Sequence, residues 1–279
     1  MQPPETLDEA VNLLNITWVA LNLENANTGF SFGRLDQLLQ PYFVWDMKKC
    51  KTREGQEKTI KSAIELIGSL FLRFSDHLPL SPDIGNYLFG GASSTQALTI
   101  GGMTPDGKDA VNDMTYIMLK AAEMLGLRDV NVNARFHADV NSNTYLKRLC
   151  EVNIITAGTP SMHNDKAVFK ALKQHNYPIE DMRDWSATGC VEPTISGKHM
   201  GHTGSILFNM VAPFEMALNN GTHPLMNWDP GPKTGSIENN DFQSFDDFFN
   251  AYAAQTKYLT CQAIEFNNML AQAHVAYRP

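Results

Sequence analysis

The chain has 279 residues, a formal net charge of −8, 43% hydrophobic and 19% charged residues, ordinary values for a globular protein with a full core. The acidic balance, without an Arg-rich cluster or a basic–aromatic stripe, argues against nucleic-acid and anionic-membrane partners. No apolar run approaches the ~18–20 residues that span a bilayer, and the acidic start Met1-Gln2-Pro3-Pro4-Glu5 lacks the apolar centre of a signal peptide.

The predicted elements alternate helix with short strand. Thr6-Leu7-Asp8-Glu9 reads as a capping box opening a helix to about Asn27, with Val11, Leu14, Trp18 and Leu21 on one face. Residues 57–75 form a second amphipathic helix through Ile60, Ala63, Ile64, Ile67 and Phe71. Residues 97–101 and 130–136 are strand candidates, the latter alternating Val130, Val132 and Ala134. A helix is predicted from Asp109 to Leu125, stopped by Gly126, and Lys147 to Ala157 is expected to turn from helix into strand at Ile154-Ile155. Another helix covers 164–175, and 184–189 is an extended approach to Cys190. An apolar helix follows over 204–219, kinked or split by Pro213. The Pro- and Gly-bearing segment 222–243 is a loop, and Ser244-Phe245-Asp246-Asp247 opens a last long helix to about Val275. Such alternation implies an α/β fold with a mostly parallel sheet. No composition shift marks a domain boundary.

The densest chemical signal lies in residues 184–198, Asp-Trp-Ser-Ala-Thr-Gly-Cys-Val-Glu-Pro-Thr-Ile-Ser-Gly-Lys. Cys190 and Glu192 stand two apart in a turn between Gly189 and Pro193. Alternate residues of an extended segment point the same way, so a thiol and a carboxyl can face one substrate. The plain alternative is a buried inert thiol, the common fate of free cysteines. The other cysteines, Cys50, Cys150 and Cys261, are widely scattered. That suits reduced thiols in a cytoplasmic protein, and without a CxxC pair no metal site is expected. His199 and His202 read as surface residues at a helix start, and His223 as a turn residue. His137, at a strand end, is a candidate cavity-lining side chain. Asn164 and Asp165 read as helix caps, Arg34 and Asp36 as a buried structural pair. Gly101-Gly102 lacks the spacing of a phosphate loop.

Several segments together resemble one family. Phe30-Ser31-Phe32-Gly33-Arg34-Leu35-Asp36-Gln37 with Gln40-Pro41-Tyr42, the run Ala97 to Gly102 with Thr104-Pro105-Asp106-Gly107, Asn131 to His137, and Gly158 to Asp165 precede the cysteine loop. In that order they resemble the glycyl radical enzymes, the superfamily of pyruvate formate-lyase, the glycerol and diol dehydratases and choline trimethylamine-lyase. The resemblance covers nearly the whole chain. It implies that residues 1–279 are a partial barrel domain, part of a ten-stranded α/β barrel of the pyruvate formate-lyase type.

It also implies a chemistry. Cys190 would carry a thiyl radical that abstracts hydrogen from a small polar substrate inside a site closed to water and oxygen. Glu192, desolvated there and raised in pKa, would act as acid or base. The outcome would be C–O, C–N, C–S or C–C cleavage, with radical addition to fumarate, decarboxylation or a formate acetyltransferase-like reaction as alternatives. Formate-lyases carry adjacent cysteines in this loop; Gly189 precedes Cys190 here, which argues against pyruvate cleavage. His137, His202 and His223 are the weaker substrate-binding candidates. The Trp-His-Asp-like element of the dehydratases is replaced by His202-Thr203-Gly204-Ser205. The Arg-Val-x-Gly-Tyr-like segment holding the family's glycyl radical does not occur in this sequence. The radical is therefore expected on a glycine outside this chain, and a piece lacking it is expected to be inactive alone, or at most a binding module. No cofactor bound by this segment is expected. A radical S-adenosylmethionine activating enzyme and a homo-oligomeric state are the expected partners.

Overall fold

The computed structural model describes residues 2–24, 30–75, 96–127, 130–198, 208–223, 225 and 228–277. The chain divides into two compact units, Met1–Thr203 and Gly204–Pro279.

The first unit is α/β. Its elements run α1 (Leu7–Glu24), β1 (Ser31–Arg34), α2 (Leu35–Lys49), α3 (Arg53–Ser75), β2 (Ala97–Gly101), α4 (Asp113–Leu125), β3 (Asn131–Phe136), α5 (Asn143–Thr156), β4 (Ser161–Asn164), α6 (Asp165–Leu172), α7 (Ile179–Arg183), β5 (Trp185–Thr188) and β6 (Glu192–Ile195). Strands β1 to β4 pair in sequence order, all parallel, as strand–helix–strand connections dictate. Strands β5 and β6 form a separate antiparallel hairpin.

Alternation gives the sheet two unlike faces. Phe32, Leu98, Ile100, Val132 and Ala134 are buried in one hydrophobic cluster with Leu35, Leu39, Ile67, Phe71, Phe74, Met114 and Met118 of the covering helices. Trp18 meets Phe74 edge-on at 5.1 Å, and Phe32 stacks on Phe74 at 4.3 Å. On the opposite face the intervening residues, Ser31, Thr99, Asn131, Asn133, Arg135, Ser161 and His163, are polar. The hairpin packs there.

The observed ends correct the sequence reading in places. At α1 only half of the capping box forms: Thr6 Oγ1 accepts from Glu9 N at 3.2 Å, while the Glu9 carboxylate takes the N–H of Glu5 at 2.8 Å. Helix α4 begins at Asp113, not Asp109, because Asn112 caps it by accepting from Thr115 N at 3.0 Å. Asp109 is engaged by Val111 N and Asn141 Nδ2 at 2.9 and 2.6 Å. The strand expected at Ile154-Ile155 is helical, and both side chains are mostly exposed. The strand forms at Ser161–Asn164 instead, after Ala157 closes α5 in a left-handed conformation (φ 58°).

The second unit contains α8 (Ala212–Leu218) and α9 (Phe245–Tyr277). The helix predicted over 204–219 starts at Ala212, with Pro213 in its first turn, where a missing N–H costs nothing; residues 204–207 lie outside the described ones. Segment 222–243 has no named helix or strand among its described residues, only a bridge between Asn219 and Ser236. Gln255 of α9 ties this segment down by donating to Pro232 O and Thr234 Oγ1 at 2.7 and 2.8 Å.

Candidate active site

A buried ion pair anchors the base of the hairpin. Arg135 on β3 meets Asp165 in a two-pronged contact, Nε to Oδ1 and Nη2 to Oδ2, both 2.9 Å, with both side chains wholly inaccessible. Two of the three remaining guanidinium hydrogens go to Trp185 O at 2.9 Å and Arg183 O at 2.7 Å. Trp185 Nε1 donates to Asp165 Oδ1 at 2.8 Å, and its ring lies 4.9 Å from the guanidinium. Burial lowers the Arg135 pKa, and the Asp165 carboxylate opposes that shift. Such a pair holds only when its polar atoms are satisfied, and here the backbone of the hairpin's approach supplies the partners. Asp165 is thus a buried ion-pair member rather than a cap; Asn164 alone caps α6, accepting from Lys166 N at 3.0 Å.

The glycine pair at the end of β2 makes room for this arrangement. A Cβ on Gly102 (φ +76°) would come 2.7 Å from Arg135, and one on Gly101 would overlap the Tyr145 ring. Arg34 and Asp36 do not bond to each other as expected. They grip Gly101 from two sides: Arg34 Nη2 donates to its carbonyl at 2.9 Å, and Asp36 Oδ2 accepts its N–H at 2.7 Å. Arg34 also reaches Asp184, the residue before β5, at 2.8 Å. Asp36, fully buried, further accepts from Thr115 Oγ1 at 2.6 Å. Desolvation raises its pKa against the pull of Arg34.

From that base the hairpin crosses the polar face of the sheet. Ala187 N donates to Thr99 Oγ1 at 2.8 Å and Gly189 N to Ser31 Oγ at 3.2 Å. Asn131 Nδ2 donates to Cys190 O. Ser186–Ser196 and Thr188–Thr194 hydroxyl pairs, at 2.6 and 2.7 Å, lock the two strands together. The turn is Gly189-Cys190-Val191, with Gly189 at φ 63°. Glu192 closes it: its Oε2 accepts the N–H groups of Cys190 and Val191, both at 2.9 Å. The structure therefore brings Cys190 and Glu192 together at one tip, and Glu192 Oε1 has no bonded partner among the described residues. The enclosed thiol expected from sequence is not what these residues form: Cys190 is exposed and Glu192 half-buried.

The other candidates lie elsewhere. His137 follows β3, six residues beyond Asn131, about 20 Å along the strand from the end that meets Cys190; its N–H goes to Asn141 Oδ1 at 2.7 Å. His223 is in the second unit, its N–H on Trp228 O at 2.8 Å. His202 lies outside the described residues. Among the described residues no group of three His, Cys, Asp or Glu side chains could hold a metal ion, and no helix is long and apolar enough to cross a membrane.

Sequence reasoning missed the polar layer beneath the hairpin. Its signal was the matched alternation Asn131-x-Asn133-x-Arg135 and Ser161-x-His163-x-Asp165, two strands polar on the same side.

Comparison with known proteins gives a consistent picture. The "Pyruvate formate lyase-like" family profile matches residues 1–279. The (2S)-3-sulfopropanediol dehydratase of Klebsiella oxytoca is 30% identical over 99% of the chain and 32% of its own length. A solved structure concerned with 1,2-propanediol dehydration in Roseburia inulinivorans has a TM-score of 0.80 at 30% identity, covering 98% of this chain and 33% of that one. A glycyl radical enzyme from Archaeoglobus fulgidus has a TM-score of 0.77 at 28% identity, over 97% and 34% respectively. The chain thus spans about a third of the length of the relatives it matches.

Proposed function

The chain belongs to the pyruvate formate lyase-like family, and on that premise we propose that it carries the thiyl half of a radical dehydratase or lyase site. Cys190 is the hydrogen-abstracting residue and Glu192 the acid–base partner. The sulfur radical takes a hydrogen atom from a substrate carbon, becoming a thiol and leaving a carbon radical. Glu192 then accepts the proton of the hydroxyl on the radical carbon as the neighbouring hydroxyl leaves, that proton completing the water lost. The product radical takes a hydrogen atom back from the thiol, restoring the sulfur radical. The observation that carries this reading is the hairpin itself: a thiol and a carboxyl share one tip, held by a buried Arg135–Asp165 pair and by side chains from three parallel strands.

Two similarities support dehydration of a small hydroxylated molecule over pyruvate cleavage. Two of the three proteins compared above are a sulfopropanediol dehydratase and a structure concerned with propanediol dehydration. The position before Cys190 is Gly189, so no adjacent thiol is available to accept an acyl group. The radical itself would come from a backbone glycine on a segment not contained in these 279 residues, generated by a radical S-adenosylmethionine activating enzyme. The same longer protein would cover the exposed Cys190 tip.

The test is substitution in the radical-charged, full-length protein. Cys190→Ala should abolish conversion of 1,2-propanediol, while Cys150→Ala, on an exposed face of α5, should leave it unchanged. Full activity in Cys190→Ala would overturn the proposal.

A further inference from the structure

We propose that His163 is a hydroxyl-binding residue on the same face, its Nδ1 accepting a hydrogen bond from a hydroxyl of a small polyhydroxylated substrate. The inference rests on the reading of the hairpin face as the reaction site, and it concerns a residue with no assigned role there.

The orientation of the ring follows from a chain of bonds with one possible direction. Asn133 is fully buried on β3. Its amide group contacts Asn131 O at 3.2 Å with Nδ2 and His163 Nε2 at 2.8 Å with Oδ1. Asn131 O is a backbone carbonyl and can only accept. The reverse placement of the amide would set two oxygens against each other, so Nδ2 must face Asn131. Oδ1 then faces His163, and Nε2 must carry a hydrogen. In a neutral imidazole the second nitrogen is left as a lone pair. Nδ1 makes no hydrogen bond among the described residues.

The ring is kept neutral by its surroundings. Desolvation lowers the His163 pKa, the Arg135 charge adds to that effect, and Asp165 opposes it. The side chain is half-buried rather than sealed, and Trp185 meets it edge-on at 5.3 Å, fixing its plane. The result is an oriented acceptor with an open edge, on the face that the hairpin crosses.

Its distance from the tip suits a small substrate. Asn131 links the two places directly, donating to Cys190 O while its own carbonyl receives Asn133. Ser161 Oγ closes the layer on Asn131 Oδ1 at 3.4 Å. Asn131 and Asn133 are two residues apart on a strand, about 7 Å. A substrate reacting at the tip can therefore present a remote hydroxyl toward His163, with Glu192 Oε1 as the acceptor near the reacting carbon.

The full-length protein, labelled with 15N and 13C at histidine, cysteine and valine, tests this by NMR. Without ligand, His163 should show a protonated Nε2 and an unprotonated Nδ1 at neutral pH. Titration with 1,2-propanediol should shift the Nδ1 resonance saturably, together with the amides of Cys190 and Val191, and leave His137 and His175 unmoved. His163→Phe should weaken propanediol binding roughly tenfold, the loss of one hydrogen bond. His163→Gln, whose amide can donate to Asn133 and still accept, should restore most of it. Shifts at Cys190 and Val191 without a change at Nδ1, or an Nδ1–H tautomer, would overturn the role of His163 and leave the hairpin reading standing. No shift at either place would overturn both.

Discussion

Replacing Asp165 with asparagine keeps the volume of the side chain and removes its charge. In the native fold Asp165 neutralises a guanidinium with no access to water and accepts three hydrogen bonds, two from Arg135 and one from Trp185. An asparagine with its oxygen in the Oδ1 place would keep the Trp185 and Arg135 Nε bonds but would present an N–H to Arg135 Nη2. Removing one partner of a buried pair costs about 3–5 kcal/mol, and the carboxylate of Asp184, which also favours the Arg135 charge, is already bonded to Arg34. Lys166, the next residue, provides the control. Its 2.7 Å contact with Asp139 has both side chains about half exposed or more, at 49% and 67%, and exposed pairs contribute about 0.2–1 kcal/mol. Urea unfolding followed by Trp fluorescence should therefore separate Asp165→Asn from Lys166→Ala by several kcal/mol. Equal effects from the two substitutions would refute the claim that the buried pair anchors the hairpin.

Other perturbations give further outcomes. Gly102→Ala should cost roughly 2–4 kcal/mol in the same unfolding assay, because its Cβ meets Arg135 at 2.7 Å in a left-handed conformation. Gly126→Ala, also left-handed but with open space around it, should cost only about 1 kcal/mol. Glu192→Ala should accelerate amide exchange at Cys190 and Val191 by at least about tenfold, since both N–H groups lose their acceptor. Glu123 is held down to about 2 by Arg148 and Lys120. Its folded value lies below its ordinary 4.5, so its contribution is complete above that pH and disappears as pH falls toward 2. The stability gap between wild type and Glu123→Gln should close over that acid range, as urea midpoints at several pH values would record.

The long-period elements were legible because their apolar residues repeat over several turns. Helix α3 shows this through Ala63, Ile67 and Phe71, buried as predicted, and Ile64, partly buried, whereas Ile60 is exposed; its start at Arg53 was hidden in a polar first turn. Strand β3 was readable from the alternation of Val130, Val132 and Ala134, and β2 as a short run before turn residues. Strand β1 and helix α2 were not assigned, because four residues carry little periodicity and Pro41 interrupts the helical pattern. The Ile154-Ile155 error shows β-branched propensity overridden by context: both residues sit on the exposed last turn of α5, where packing makes no demand on them.

The same division runs through the site. Cys190 and Glu192 were readable as local neighbours, since a two-residue spacing suffices to place them together. The Arg135–Asp165 pair, 30 residues apart, and the Asn131–Cys190 contact, 59 apart, depend on strand register, which the sequence pattern left open. Asp36 and Arg34 were correctly read as buried, but their common partner is the Gly101 backbone. A backbone partner leaves no residue-type signal.

The most direct test of the central claim is the fate of solvent deuterium. A thiol at the reacting position exchanges with D2O, so a sulfur that takes hydrogen from substrate and returns it will deliver deuterium to recovered propanediol or to product. The radical-charged full-length protein in D2O should transfer deuterium to carbon, Cys150→Ala should do the same, and Cys190→Ala should transfer none. Deuterium on carbon with Cys190→Ala would contradict the assignment of Cys190 as the hydrogen-abstracting residue.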